Sequence, residues 1–148
     1  MSNGVGIHIK KRDGSVEPLD INKIHFVVEE ATEGLSGTSA SQIEMTANIQ
    51  FYDGMSTEEI QEILIKSAND LITLENPNYQ YAAARLLLYP ISNETFGQYN
   101  PIPLLKVIDR HIEGGVYDPA IKEKYSETEL NQLNKDIIHH RDENFTYA

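Results

Sequence analysis

No cysteine occurs anywhere in the 148 residues, which removes disulfide frameworks, thiolate zinc sites and every thiol nucleophile or thiyl radical from the chemistry this chain can do by itself. No apolar run approaches the roughly 20 residues that a membrane helix needs. Residues 1–6 lack the basic-then-apolar layout of a secretory signal, so the expectation is a chain that stays in a reducing cytoplasm. Positive charge is scarce, with 12 Lys and Arg against 23 Asp and Glu and a formal net charge of −11. Such a surface repels a phosphate backbone and argues against nucleic acid as a partner. Neither a Walker A sequence nor a G-x-G-x-x-G turn is present.

What is present is a globular composition, 40% hydrophobic and 24% charged. The length suits one ordinary domain, or a domain of about 90 to 100 residues with an extension. The few basic residues are unevenly placed. Lys10, Lys11, Arg12 and Lys23 are four of the twelve, and none follows until Lys66. Two explanations stay open for that cluster: ordinary charges on a solvated hairpin, or a local site for a small anion.

Patterning predicts a mainly helical α+β fold, a small hairpin sheet on a four-helix bundle followed by extra helices. Ile7 and Ile9 alternate with polar neighbours, Asp13-Gly14 supplies a tight turn, and Val16 and Leu19 begin the return strand. A first helix starts at Asp20 or Asn22 and carries Ile24, Val27, Val28, Ala31 and Leu35 on one face. A second opens at Ser39 or Ser41; Ile43, Met45, Ala47, Ile49 and Phe51 also alternate at period two, but their polar neighbours are poor strand formers. Ser56-x-x-Glu59 is a capping-box signature for a third helix with Ile60, Ile63, Leu64, Ala68, Leu71 and Ile72 inward. The fourth, residues 79–88, is apolar on most sides and therefore central, and Pro90 is expected to kink or stop it. Beyond Phe96 the pattern restarts. One helix carries Leu104 to Ile112 and ends at Gly114-Gly115, Asp118-Pro119 caps a short one, and Ser126-x-x-Glu129 opens a last one through Leu130, Leu133 and Ile137.

The hairpin and the first helix are the stretch with most chemistry. A helix N-terminus presents unpaired N–H groups and partial positive charge, so Lys23 in the first turn stands against the dipole and calls for a nearby anion. Glu17 or Asp20 is one candidate, at surface ion-pair strength. A triphosphate held by backbone N–H groups with Lys11, Arg12 and Lys23 is the other. Elsewhere the bland explanations serve. His139 and His140 are adjacent and point apart on a helix, a poor metal pair. Tyr79, Tyr81 and Tyr89 suit core or interface positions. Glu29, Glu30, Glu33, Glu58, Glu59 and Glu62 suit solvated helix faces.

The string KRDGS-x-E-x-L-x-x-x-KI over residues 11–24, with IQFYDGM-x-T over residues 49–57, resembles the ATP-cone of ribonucleotide reductases. Pro77, YQYAAARL from Tyr79, FGQY from Phe96, YDP from Tyr117 and HHRDENFTYA from His139 extend the resemblance to the large subunit of the aerobic, class I enzyme, over essentially the whole chain. The resemblance implies an ATP-cone over residues 1–95 and the helical start of the catalytic domain over residues 96–148. It implies an allosteric site at which ATP keeps the enzyme active and dATP switches it off, with magnesium accompanying the triphosphate. Carried over by position, Lys11 and Lys23 match phosphate-binding lysines, with Arg12 beside them. Glu17, Leu19, Asp20, Ile21 and Asn22, and then Ile24, match the segment that reads the adenine, and Thr57 matches a further contact.

Three positions depart from that family. His, Lys and Trp are common where this chain has Gln61, Asn93 and Glu30, and the usual basic run after the fourth helix reads Ser92-Asn93-Glu94. These changes are expected to weaken triphosphate binding. The partners implied are the remaining catalytic part of the large subunit and the radical-generating small subunit, in an oligomeric enzyme acting in deoxyribonucleotide synthesis. The alternative is a decayed cone kept as a docking module for either partner. With the family's catalytic cysteines absent, the purified 148-residue chain should show no turnover of any nucleoside diphosphate with any reductant or small subunit. Product formation in a chromatographic assay would overturn that expectation.

Overall fold

The computed structural model describes residues 6–98 and 100–147. Residues 1–5, Tyr99 and Ala148, which enter the leader reading and the FGQY and HHRDENFTYA matches, lie outside the described residues. The chain forms two compact units. One runs to Leu88 and takes back the segment from Glu143 onward; the other is Tyr89–Asp142. The architecture is α+β and mainly helical, with one two-stranded sheet among the described residues.

In the first unit, β1 (His8–Lys10) pairs antiparallel with β2 (Val16–Pro18), Ile9 opposite Glu17 and Lys10 opposite Val16. The turn closes as its residues dictate. Lys11 N–H donates to the Ser15 carbonyl at 2.8 Å and Gly14 N–H to the Lys11 carbonyl at 2.9 Å, while Asp13 Oδ1 accepts from both the amide (2.8 Å) and the hydroxyl (2.6 Å) of Ser15. Gly14 has φ +85°, which favours a residue without Cβ. The other edge of β1 is also used. Lys10 forms a parallel bridge with Ser56, its N–H donating to the Met55 carbonyl at 2.9 Å, and Gly54 N–H donates to the His8 carbonyl at 2.8 Å.

Four helices follow, the first three opened by residue types that cap helices well. Asp20 accepts from the Asn22 amide at 3.0 Å to start α1 (Ile21–Thr32), and Ser39 accepts from the Gln42 amide to start α2 (Ala40–Asn48). A reciprocal capping box opens α3 (Thr57–Asp70): Glu59 N–H donates to Ser56 Oγ at 3.1 Å and Ser56 N–H to the Glu59 carboxylate at 2.7 Å. α4 is Tyr79–Phe96.

Val28, Ile43, Met55, Leu64 and Leu86 are fully buried in the core between these elements, each stabilising it by about 1.5 to 3 kcal/mol. Burial settles α2 as a helix. Ile43 and Ala47 are buried but Met45 and Ile49 are 70% and 84% exposed, whereas a strand would put all four on one face. Ala82, Ala83 and Ala84 are buried on α4, where small side chains allow neighbouring elements close. The Tyr79 hydroxyl, buried in the same region, accepts from the Ser39 amide at 3.0 Å and donates to Gln42 Oε1. Arg85 reaches the C-terminal end of α1, Nη1 donating to the carbonyls of Ala31 (3.4 Å) and Glu33 (2.8 Å). That helix has no basic residue in its own last turn, so Arg85 supplies the cation that the negative end of the dipole favours.

Of the kink or stop expected at Pro90, the stop does not occur: α4 runs past residue 88 to Phe96, with Pro90 inside it. Proline lacks the N–H that would bond the carbonyl of Leu86 four residues back. Gln61 of α3 supplies the missing donor, its Nε2 lying 2.6 Å from that oxygen.

In the second unit, α5 (Leu104–Glu113) packs against α7 (Glu127–Asp136), and α6 (Ala120–Lys124) lies between them in sequence. Asn134 Oδ1 accepts from the Leu104 amide at 2.8 Å, and Lys122 pairs with Asp109 at 2.7 Å. Ser126 and Glu129 form the second capping box, and α7 ends at Asp136, one residue short of Ile137. A 3-10 helix, His139–Asn144, follows. No described helix is long and apolar enough to cross a membrane.

Removing the Gln61 amide leaves the Leu86 carbonyl without a donor in a largely buried setting. Gln61→Ala should destabilise the first unit by about 1 to 3 kcal/mol in denaturant unfolding. In a Pro90→Ala background, where the backbone again offers an N–H, the penalty should shrink. An equal penalty in both backgrounds would mean that Gln61 contributes packing rather than the bond.

Candidate functional site

The hairpin and two helix starts build one face of the first unit. β2 leads through Leu19, whose N–H donates to the Ile7 carbonyl at 2.7 Å, into the Asp20 cap of α1. The Lys10 to Ser56 bridge brings the start of α3 to the other edge of β1. Cationic side chains thus sit on a strand end and turn flanked by two helix N-termini, the parts of a protein most favourable to anions.

Each cation has a different situation. Lys11 Nζ is 2.7 Å from the Glu17 carboxylate across the hairpin, and that contact holds the Lys11 amine above its ordinary range. Arg12 Nε is 3.0 Å from Glu58 in the first turn of α3, with both side chains close to two-thirds exposed. Lys23, in the first turn of α1, has no ion pair among the described residues. The counter-anion expected for Lys23 is therefore engaged elsewhere: Glu17 holds Lys11 and Asp20 caps the helix. Exposed pairs of this kind are worth about 0 to 1 kcal/mol, so a polyanion can displace them.

The residues matched by position to an adenine-reading segment divide by burial. Ile24 is in the core and Leu19 packs against it, while Ile21 is 60% exposed and Asn22 lies at the surface beside it. Thr57 is the first residue of α3 and half-buried. Gln61, one turn further on, has its Nε2 committed to the Leu86 carbonyl. Asn93 and Glu94 are exposed on the part of α4 that belongs to the second unit, and Glu30 is exposed on α1.

Three charged contacts escaped the sequence patterns. Glu58 reads as part of a solvated acidic face, and only the pairing of β1 with residue 56 brings it to Arg12, 46 positions away. His25, one residue past Ile24, bridges two helices: Nδ1 is 2.6 Å from Glu44 of α2 and Nε2 is 3.0 Å from Glu29. No group of three His, Asp or Glu side chains able to hold a metal occurs among the described residues.

The hairpin thus lies between two capped helix starts, with Lys11 and Arg12 in exposed ion pairs and Lys23 without one among the described residues. The ATP-cone domain model matches residues 7–94, and the chain belongs to the ATP-cone family. Similarity extends beyond that domain. The chain is 44% identical over 140 residues to ribonucleoside-diphosphate reductase 1 subunit alpha of Salmonella typhimurium and of Escherichia coli. It is 40% identical over 144 residues to the ribonucleoside-diphosphate reductase subunit alpha of Enterobacteria phage T4. These alignments cover 95% to 96% of the chain but only 18% to 19% of the relatives, so the chain spans under a fifth of their length.

His25 gives the site's first helix a pH dependence. The Glu44 hydrogen bond, then its charge, with a smaller contribution from Glu29, raises the imidazole above its ordinary value of 6.5. A raised folded-state value means stabilisation that is complete below 6.5 and lost as pH rises through the folded value. Denaturant midpoints measured from about pH 6 to about pH 8.5 should therefore fall for the native chain and fall less for His25→Gln. Identical slopes would show that the contact contributes nothing.

Proposed function

We propose that this chain is the effector-sensing portion of a ribonucleoside-diphosphate reductase large subunit, binding ATP or dATP between the hairpin and α1. In this reading residues 1–95 are the regulatory cone and residues 96–148 the helical start of the catalytic domain. The observation that carries it is Lys23: a cation in the first turn of a helix, without a counter-ion among the described residues, beside two further cations held only by exposed, exchangeable pairs. The donor set fits a polyphosphate. Lys11 and Lys23 would act as point charges and Arg12 as a planar fork. Glu17 to Asn22 would face the base, with Thr57 as a further contact. Magnesium would arrive with the triphosphate, already bound to its phosphate oxygens.

The chemistry of reduction belongs to parts of the large subunit that hold thiols, since this chain has none. Its partners in this reading are that catalytic remainder and the radical-generating small subunit, in a cytoplasmic, oligomeric enzyme supplying deoxyribonucleotides for DNA replication. ATP and dATP would act through this domain as activating and inhibiting effectors.

A second reading, a decayed cone retained for docking to either partner, is favoured by the ion pairs on Lys11 and Arg12 and by the commitment of the Gln61 amide to Leu86. Titration calorimetry separates the two. The first reading expects a single adenine-nucleotide site, weakened by about 1 to 3 kcal/mol in Lys23→Ala, the loss of a charge-assisted hydrogen bond. ATP binding that is insensitive to this substitution would place the site elsewhere. Absence of binding to the native chain would favour docking.

A further inference from the structure

We propose that Glu58 is a specificity-determining residue of the nucleotide site: a resident counter-anion of Arg12 that the phosphate chain must displace. The inference rests on the ATP-binding reading and adds the residue that sets how strongly the site favours phosphate over its own carboxylate.

Glu58 occupies the second position of α3, immediately after Thr57, and the capping box formed by Ser56 and Glu59 fixes the turn that presents it. The bridge between Lys10 and Ser56 holds that turn against β1, two residues before Arg12. From there the carboxylate meets the guanidinium at 3.0 Å. Glu58 takes the Nε–H of Arg12, so a phosphate that binds bidentately along that edge of the guanidinium competes with it for the same donor. Once displaced, Glu58 remains on a helix start a few ångströms from the incoming charge and repels it.

Neighbouring acids have other employment or none. Glu59 is held by the Ser56 amide and accepts from the Tyr52 hydroxyl at 2.7 Å. Glu62, one turn along α3, is exposed and has no ion pair among the described residues. That makes Glu62 a matched control for charge removed from the same helix.

Competition by an exposed carboxylate gives a defined signature. Glu58→Gln should tighten ATP by about two- to fivefold, the scale of a surface ion pair, and leave adenosine unchanged because only phosphates meet Arg12. The gain should shrink with rising salt. In an Arg12→Gln background Glu58→Gln should give a markedly smaller gain, and Glu62→Gln should give little in either background. Calorimetric titration of the 148-residue chain with ATP and adenosine, with unfolding midpoints recorded for each variant, reads all of these.

An equal gain for adenosine, an equal gain in Glu62→Gln, or a gain undiminished by loss of Arg12 would each overturn the proposal. So would unchanged ATP affinity in Glu58→Gln with the native chain still binding ATP, which leaves the ATP-binding reading intact. Failure of both the native chain and Glu58→Gln to bind ATP would remove that reading and this inference together.

Discussion

The pairing of β1 with the residues that precede α3 is the constraint on which the first unit depends. Through it β1 is bound on both edges, by β2 on one side and by Met55 and Ser56 on the other. Met55, buried completely, anchors this junction from the core side. Without that junction the two helix starts would have no fixed relation, and the cations of the turn would face solvent alone. A sheet of two three-residue strands is marginal by itself. Here its β1 edge is bonded to residues 54–56 and its one buried apolar position, Ile9, joins the helical core.

Electrostatics at this face is a matter of rearrangement rather than of new charge. Lys11 and Arg12 already have carboxylate partners at contact distance, and both pairs sit where water screens them. Any anion that binds exchanges one partner for another, so selectivity comes from geometry and from the charge left behind. Lys23 differs because its neighbours are used up: Asp20 is bound to the backbone and Glu17 to Lys11.

Much of this was legible in the sequence because the signals are local. Asp13-Gly14, the Asp20 cap, the two Ser-x-x-Glu boxes and the helical spacing of Ile24, Val28 and Ala31 are short-range patterns that tertiary packing had no reason to override. The cation cluster was legible for the same reason. What escaped depends on distance along the chain. No local pattern joins Arg12 to Glu58, His25 to Glu44 or Gln61 to the carbonyl of Leu86. The continuation of α4 through Pro90 belongs in this class: proline's effect on its own helix is predictable, but a donor from another helix, 25 positions from the carbonyl it satisfies, is not. Ser67 is similar, a buried hydroxyl on an apparently apolar face that donates to the Ile63 carbonyl and accepts from Gln50.

Arg85 has a consequence for the opposite end of α1. By covering the Ala31 and Glu33 carbonyls it blunts the helix's negative pole, while at the other end Asp20 caps the first turn and Lys23 stands exposed. On a chain of net charge −11 an approaching polyanion is repelled at long range, yet at physiological ionic strength that repulsion fades over about 8 Å. Within that distance the local charges, Lys23 and the Asp20 carboxylate near it, outweigh the net charge of the chain.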